Sequence, residues 1–101
     1  MIAGSDKTGQ RLYYIDNDGN RLEGNLFQAG SGGTFAVGII ESNFKWDMSD
    51  EEAVNLGVKA IYHATHRDTG SGGVCRIYHI HKTGWTKVHD GLDVNKLHWK
   101  F

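Results

Sequence analysis

The stretch from Ser49 to Arg67 constrains the fold more than any other part of the chain, because it carries both the start signal and the period of an amphipathic helix. Ser49 and Glu52 stand at capping-box spacing, where each side chain satisfies the other residue's free backbone N–H. Asp50, Glu51 and Glu52 set negative charge at the positive end of the helix dipole. Ala53, Leu56, Gly57, Ala60, Ile61 and Ala64 recur at steps of three and four, and Val54, Val58 and Thr65 widen the apolar side beyond one stripe. A helix this broad must bury against a wide partner. Its small residues Ala53, Gly57, Ala60 and Ala64 let a neighbour come close, Gly70 offers a stop, and a sheet is the expected partner.

The flanks read as strands. Residues 1–10 are polar and glycine-punctuated and are expected to form an entry loop, after which Leu12–Ile15 is aromatic and branched, as strands are. Asp16 to Asn20 gathers residues that tolerate positive φ, and apolar positions resume at Leu22, Leu26 and Phe27, which predicts a hairpin with its tip at Asp18–Gly19. Residues 29–34 form a glycine-rich loop, and Phe35–Ile40 is apolar but too short for its period to separate helix from strand. Val74–His81 alternates, and Trp85–His89 resumes beyond Lys82-Thr83-Gly84, predicting a second hairpin. Leu92, Val94, Leu97 and Phe101, with Asp93 near the start, suggest a short closing helix. The order strand, strand, helix, helix, strand, strand, helix implies an α+β protein with antiparallel sheet.

Composition narrows the function classes. One hundred and one residues with 11 basic and 12 acidic side chains make one unit of net charge −1. With 39% apolar and 23% charged residues the chain is expected to be globular and soluble rather than disordered or membrane-embedded. No basic cluster offers the backbone neutralisation that nucleic acid or an anionic membrane would need, so neither is an expected partner. The single cysteine, Cys75, forms no internal disulfide, and no charged-then-apolar leader opens the chain, which points to a reducing compartment. Fourteen glycines and no proline mean that glycine makes the turns.

Gly-Ser-Gly-Gly occurs at residues 30–33 and again at 70–73, but the flanks share nothing else, and neither copy has phosphate-loop or dinucleotide-loop spacing. Chemistry at these loops would use main-chain N–H groups and the hydroxyls of Ser31 and Ser71. Asp68 lies three residues before Ser71, where a carboxylate, a hydroxyl and glycine amides are crowded together. The competing reading is that Asp68 only bonds the amides of the following turn, and the residues by themselves favour it. His63 and His66 are one helical turn apart, and His79 and His81 share a strand face, yet nothing local completes either pair, so no metal site is expected. No strained Gly-x-Ser-x-Gly elbow supports a serine hydrolase. Trp46, Trp85 and Trp99 are expected as core or interface anchors.

Leu12-Tyr13-Tyr14-Ile15-Asp16 with Asp18-Gly19, Gly30-Ser31-Gly32, Ser42-Asn43-Phe44-Lys45-Trp46-Asp47, His66-Arg67-Asp68 with Ser71-Gly72-Gly73, and Ile77-Tyr78-His79 with Gly84-Trp85 follow one another in an order and spacing that closely resembles the beta-five type of proteasome subunit. The resemblance runs over nearly the whole chain and covers about the second half of that family's mature domain, so residues 1–101 are expected to form one unit, the C-terminal half of such a domain. It implies part of an αββα four-layer sandwich, the N-terminal-nucleophile hydrolase fold with two antiparallel sheets between helix layers. It also implies a threonine-type endopeptidase of the proteasome core particle in cytoplasm and nucleus, without cofactor or metal, with other alpha and beta proteasome subunits as partners and polypeptides as substrates. An N-terminal threonine is the nucleophile in that family, and neither Thr8 nor Thr34 has its context. Carried over residue by residue, Ser31, Asp68 and Ser71 match the supporting residues that orient that threonine. Thr69-Gly70 departs from the family, which usually has a small residue and then an aromatic. Two other classes remain as alternatives: a noncatalytic assembly module docking on proteasome subunits, and a histidine-based metal-binding domain. Half of such a sandwich is expected to self-associate, because its apolar faces lack cover.

Overall fold

The computed structural model describes residues 1–68 and 73–97. Three strands open the chain, β1 (Ile2–Asp6), β2 (Gly9–Ile15) and β3 (Arg21–Glu23), followed by helices α1 (Gly33–Asn43) and α2 (Asp50–Arg67). A second pair of strands, β4 (Val74–His81) and β5 (Gly84–Asp93), leads into a 3-10 turn at Val94–Lys96. The sheets are antiparallel, ordered β1-β2-β3 and β4-β5. The α+β class and both expected hairpins are therefore present.

Two expectations need correcting. Residues 1–10 are not a loop, because Lys7-Thr8 turns the chain so that Asp6 pairs with Gly9 and Ile2 with Tyr13. Gly9 takes φ +119°, and the Asp6 carboxylate accepts the Thr8 backbone N–H at 2.8 Å and its hydroxyl at 2.5 Å. Such a turn lets polar residues pair as strands, since the register of a hairpin follows its turn. Where a closing helix was expected, the described residues form a strand to Asp93 and then a single 3-10 turn, started by Asp93, whose side chain accepts from Asn95 N at 3.0 Å. Of the tryptophans expected as core or interface anchors, Trp46 and Trp85 stand outside the core. Trp46 is 77% exposed and packs edge-on against Phe44, and Trp85 is 63% exposed against Tyr78. Trp85 pairs with Ile80 on the strand face opposite buried Cys75, which turns it away from α2. Trp99, Phe101 and Gly70 lie outside the described residues.

The ambiguous segment 35–40 is helical. α1 has no side-chain cap at Gly32 and no acidic residue in its first turn, so its packing against α2 must sustain it. α2 carries the complete capping box, with Glu52 N donating to Ser49 Oγ at 3.1 Å and Ser49 N to Glu52 Oε1 at 3.2 Å. It packs on α1 and on β4, so the broad apolar side meets a helix as well as the expected sheet. Ala60 and Ala64 are buried there, and Gly57 is placed so that a Cβ would meet Ile77 Cδ1 at 3.2 Å, whereas Ala53 stays exposed. Val58, Tyr62, Cys75, Val94 and Leu97 form the core between α2, β4 and the 3-10 turn, with Ile61, Ile77 and Leu92 packed around them.

Candidate functional site

Two segments distant in sequence meet where α1 begins and α2 ends. α2 stops at Arg67, and Asp68 leaves it in extended conformation (φ −109°, ψ 113°) while its N–H still donates to Ala64 O at 2.9 Å. Gly30 turns the chain at φ +98°, a conformation that favours glycine, so that Ser31 precedes the first turn of α1. Because α1 packs on α2, these ends adjoin, and Ser31 Oγ donates to Asp68 Oδ2 at 2.5 Å. A carboxylate at a helix C-terminus faces the negative end of the dipole and needs donors. Ser31 supplies one across 37 residues of sequence. Ser71 lies outside the described residues, as does the turn whose amides formed the competing reading of Asp68.

The Ser31 loop borders a cavity of about 530 Å³ between the helices and β4. Its walls include Ala36, Val37 and Ile40 of α1, Gly57, Ala60, Ile61 and Ala64 of α2, and Val74 and Ile77 of β4, with Thr65 and Arg76 as polar additions. Sequence reasoning took Thr65 only as part of the helix's apolar side and did not single out Arg76, since an arginine in a strand carries no distinguishing signal. Gln28 was missed as well. Its side chain lies where a Cβ on Gly33 would be, and so braces the loop from below.

Among the described residues the histidines do not converge. Tyr62 O accepts from His66 Nδ1 at 3.0 Å. His63 is held below the ordinary histidine range, first by partial burial and then by the charges of Lys59, Arg67 and His66. His79 Nε2 is 3.9 Å from Asp50 Oδ1, and both ring nitrogens of His81 hydrogen-bond with threonine hydroxyls, Nε2 with Thr86 at 2.9 Å and Nδ1 with Thr83 at 3.0 Å. Among the described residues no three His, Cys, Asp or Glu side chains are placed to hold a metal ion, and no helix is long and apolar enough to cross a membrane. Cys75 is buried, which pushes its thiol up and leaves it poorly nucleophilic.

Antiparallel sheets beside a helical pair, with a serine at one helix start fixed to a carboxylate at another helix end, define an α+β protein whose polar couple is built by tertiary packing. Comparison with known proteins is specific. The proteasome subunit family model matches residues 1–80. The beta type-5 subunit of Dictyostelium discoideum is 55% identical over 101 residues, which are 100% of this chain and 37% of that protein. The beta type-5-A subunit of Arabidopsis thaliana is 52% identical over the same length, covering 36% of its own chain. The human beta type-8 subunit is 50% identical over 97 residues, 96% of this chain and 35% of that protein. The chain therefore belongs to the proteasome subunit family, and with it goes the N-terminal-nucleophile hydrolase fold, of which the two antiparallel sheets and two helices form part. It spans little more than a third of the length of the curated relatives it matches.

Proposed function

We propose that residues 1–101 are the C-terminal half of a beta-five-type proteasome subunit domain, and that in the complete subunit they support a threonine nucleophile in the hydrolysis of intracellular polypeptides. The observation that carries this reading is the Ser31–Asp68 hydrogen bond. With its proton committed to Asp68, the Ser31 oxygen presents lone pairs to an incoming donor. An α-amino group placed there is held and its proton managed, which is what an N-terminal threonine needs in order to attack a carbonyl. By the family resemblance, Ser71 is a further residue that orients the nucleophile. The nucleophile itself comes from outside these residues, the partners are other alpha and beta subunits of a core particle, and the location is cytoplasm and nucleus.

A chimera tests this. The matching third of the Dictyostelium beta type-5 subunit is replaced by these 101 residues, and fluorogenic peptide hydrolysis by the purified particle is measured. Assembly with activity is expected. Asp68→Asn should lower kcat by about 10²-fold or more and Ser31→Ala by less, with particle assembly retained. An assembled particle whose activity ignores Asp68→Asn would overturn the catalytic part. A particle that assembles but stays inactive with both residues intact would instead favour the assembly-module reading, which the large exposed apolar surface also supports.

A further inference from the structure

The C-terminal half of α2 carries Lys59, His63 and Arg67 at four-residue steps, with His66 beside them. Side chains four apart on a helix are neighbours, so these groups form a line of about 12 Å at a rise of about 1.5 Å per residue. Lys59 and His63 are half-buried, and His66 and Arg67 are exposed. The positions three and four residues from Lys59 are Asn55, Leu56, Tyr62 and His63, none of them acidic. Among the described residues neither Lys59 nor Arg67 forms an ion pair, since the four ion pairs present involve Arg11, Arg76, His79 and Lys87. Asp68 follows Arg67 in sequence, but its carboxylate accepts from Ser31. The nearest acidic residue upstream on the helix is Glu52, about 10 Å along the axis from Lys59.

The helix dipole accounts for cations only in the last turn, where His66 and Arg67 stand. Lys59 lies two turns further in and has no such explanation. A row of like charges without a compensating acid is unfavourable in isolation. Negative charge laid along the row turns that repulsion into attraction.

We propose that the Lys59, His63 and Arg67 line of α2 is a docking site for an acidic segment of another polypeptide, with carboxylates spaced at about one helical turn. This surface is separate from the Ser31–Asp68 couple and does not depend on the peptidase reading. His63 gives the site a chemical signature. The charges acting on it are Lys59, Arg67 and His66, all on α2, and no charged group of α1, β4 or the Val94–Lys96 turn, which pack against this helix, adds to them among the described residues. Carboxylates docked across the line reverse that repulsion, so complex formation should take up a proton at His63 near neutral pH. Nucleic acid is the weaker fit, because two permanent cations on a chain of net charge −1 neutralise few phosphates.

The test uses the full 101-residue chain and two labelled helical alanine-rich peptides, one with Glu at every fourth position and one with Gln there. By fluorescence anisotropy at low ionic strength the Glu peptide should bind and the Gln peptide should not. Lys59→Glu should weaken binding by about tenfold, and Lys59→Gln and Arg67→Gln should each weaken it less, with helical circular dichroism unchanged in all three. Titration calorimetry in two buffers of different ionisation heat should show proton uptake that His63→Gln abolishes. Equal binding of both peptides, indifference to all three charge variants, proton uptake that survives His63→Gln, or displacement of the Glu peptide by an equal concentration of polyuridylate would each overturn the proposal.

Discussion

Asp16 shows how much a single side chain settles. Its carboxylate accepts from Asp18 N and Asn20 N, both at 2.9 Å, and from the Asn20 side chain at 3.1 Å. These bonds, that from the Asn20 backbone foremost, hold its pKa below the ordinary 3.8. A depressed carboxylate pKa stabilises the fold above the unfolded value and is lost as pH falls through the folded one. Carbon NMR should therefore show Asp16 titrating below 3.8, and Asp16→Ala should reduce amide protection at the paired residues Ile15 and Arg21. An ordinary titration with unchanged protection would contradict this. The Asp16 turn was legible in the sequence because Asx-type bonding is local. The turn at Lys7-Thr8-Gly9 was equally local and repeats Lys82-Thr83-Gly84, with a positive-φ glycine and a threonine hydroxyl bonded to the residue before the turn in both. It went unread because the polar residues around it do not look like strands. The Ser31–Asp68 couple is the opposite case. Its bond spans 37 positions, so no local pattern reports it, and only resemblance to a family brought the two residues together beforehand.

At the scale of elements, α2 was fully legible and α1 was not, and the difference is capping. α2 announces its start through Ser49 and Glu52, whereas α1 begins at glycines with no side chain to close its first turn. Ser49→Ala should cost about 1 kcal/mol, read as a lower urea midpoint with unchanged slope. An unchanged midpoint would mean that packing, not the cap, fixes the start of the helix. The 3-10 turn at Val94–Lys96 makes a sharper demand. Val94 is fully buried and Leu97 nearly so, and both enter the core beside Val58, Tyr62 and Cys75. So short an element has little stability of its own and is held by those two side chains. Leu97→Ala should cost about 2–4 kcal/mol, a large fraction of the roughly 5–15 kcal/mol that holds an ordinary small domain folded. A midpoint shift worth less than about 1 kcal/mol would show that the closing turn is peripheral.

The whole molecule is looser than its length requires. A compact protein of 11.2 kDa exposes about 5,700 Å², and this one exposes 7279 Å². Its radius of gyration is 14.1 Å, against about 13 Å for a compact chain of this size. The difference in area, about 1,600 Å², is comparable to what a standard protein–protein interface buries. Exposed apolar side chains account for part of it: Met1, Ile2, Leu22, Phe35, Val74, Tyr78 and Trp85 all stand open. Among the described residues both sheets also end in strands paired on one side only, β1 and β3 in one, β4 and β5 in the other. Open edges beside an apolar cavity of about 530 Å³ are a template for further strands. In isolation the most accessible source of strands and apolar cover is another copy. Sedimentation velocity at micromolar concentration should therefore show dimers or larger species that grow with concentration. Because apolar burial drives this association, raising the salt should leave it intact or strengthen it, whereas docking along the Lys59 to Arg67 line should weaken. Replacing Ile2 in the β1 edge with lysine and Tyr78 on the open face of β4 with glutamate should shift the distribution toward monomer without loss of helical signal, since both side chains lie outside the core. A monomer with a sharp cooperative transition, unaffected by these two changes, would mean that the exposed surface is tolerated and that no covering chain is needed.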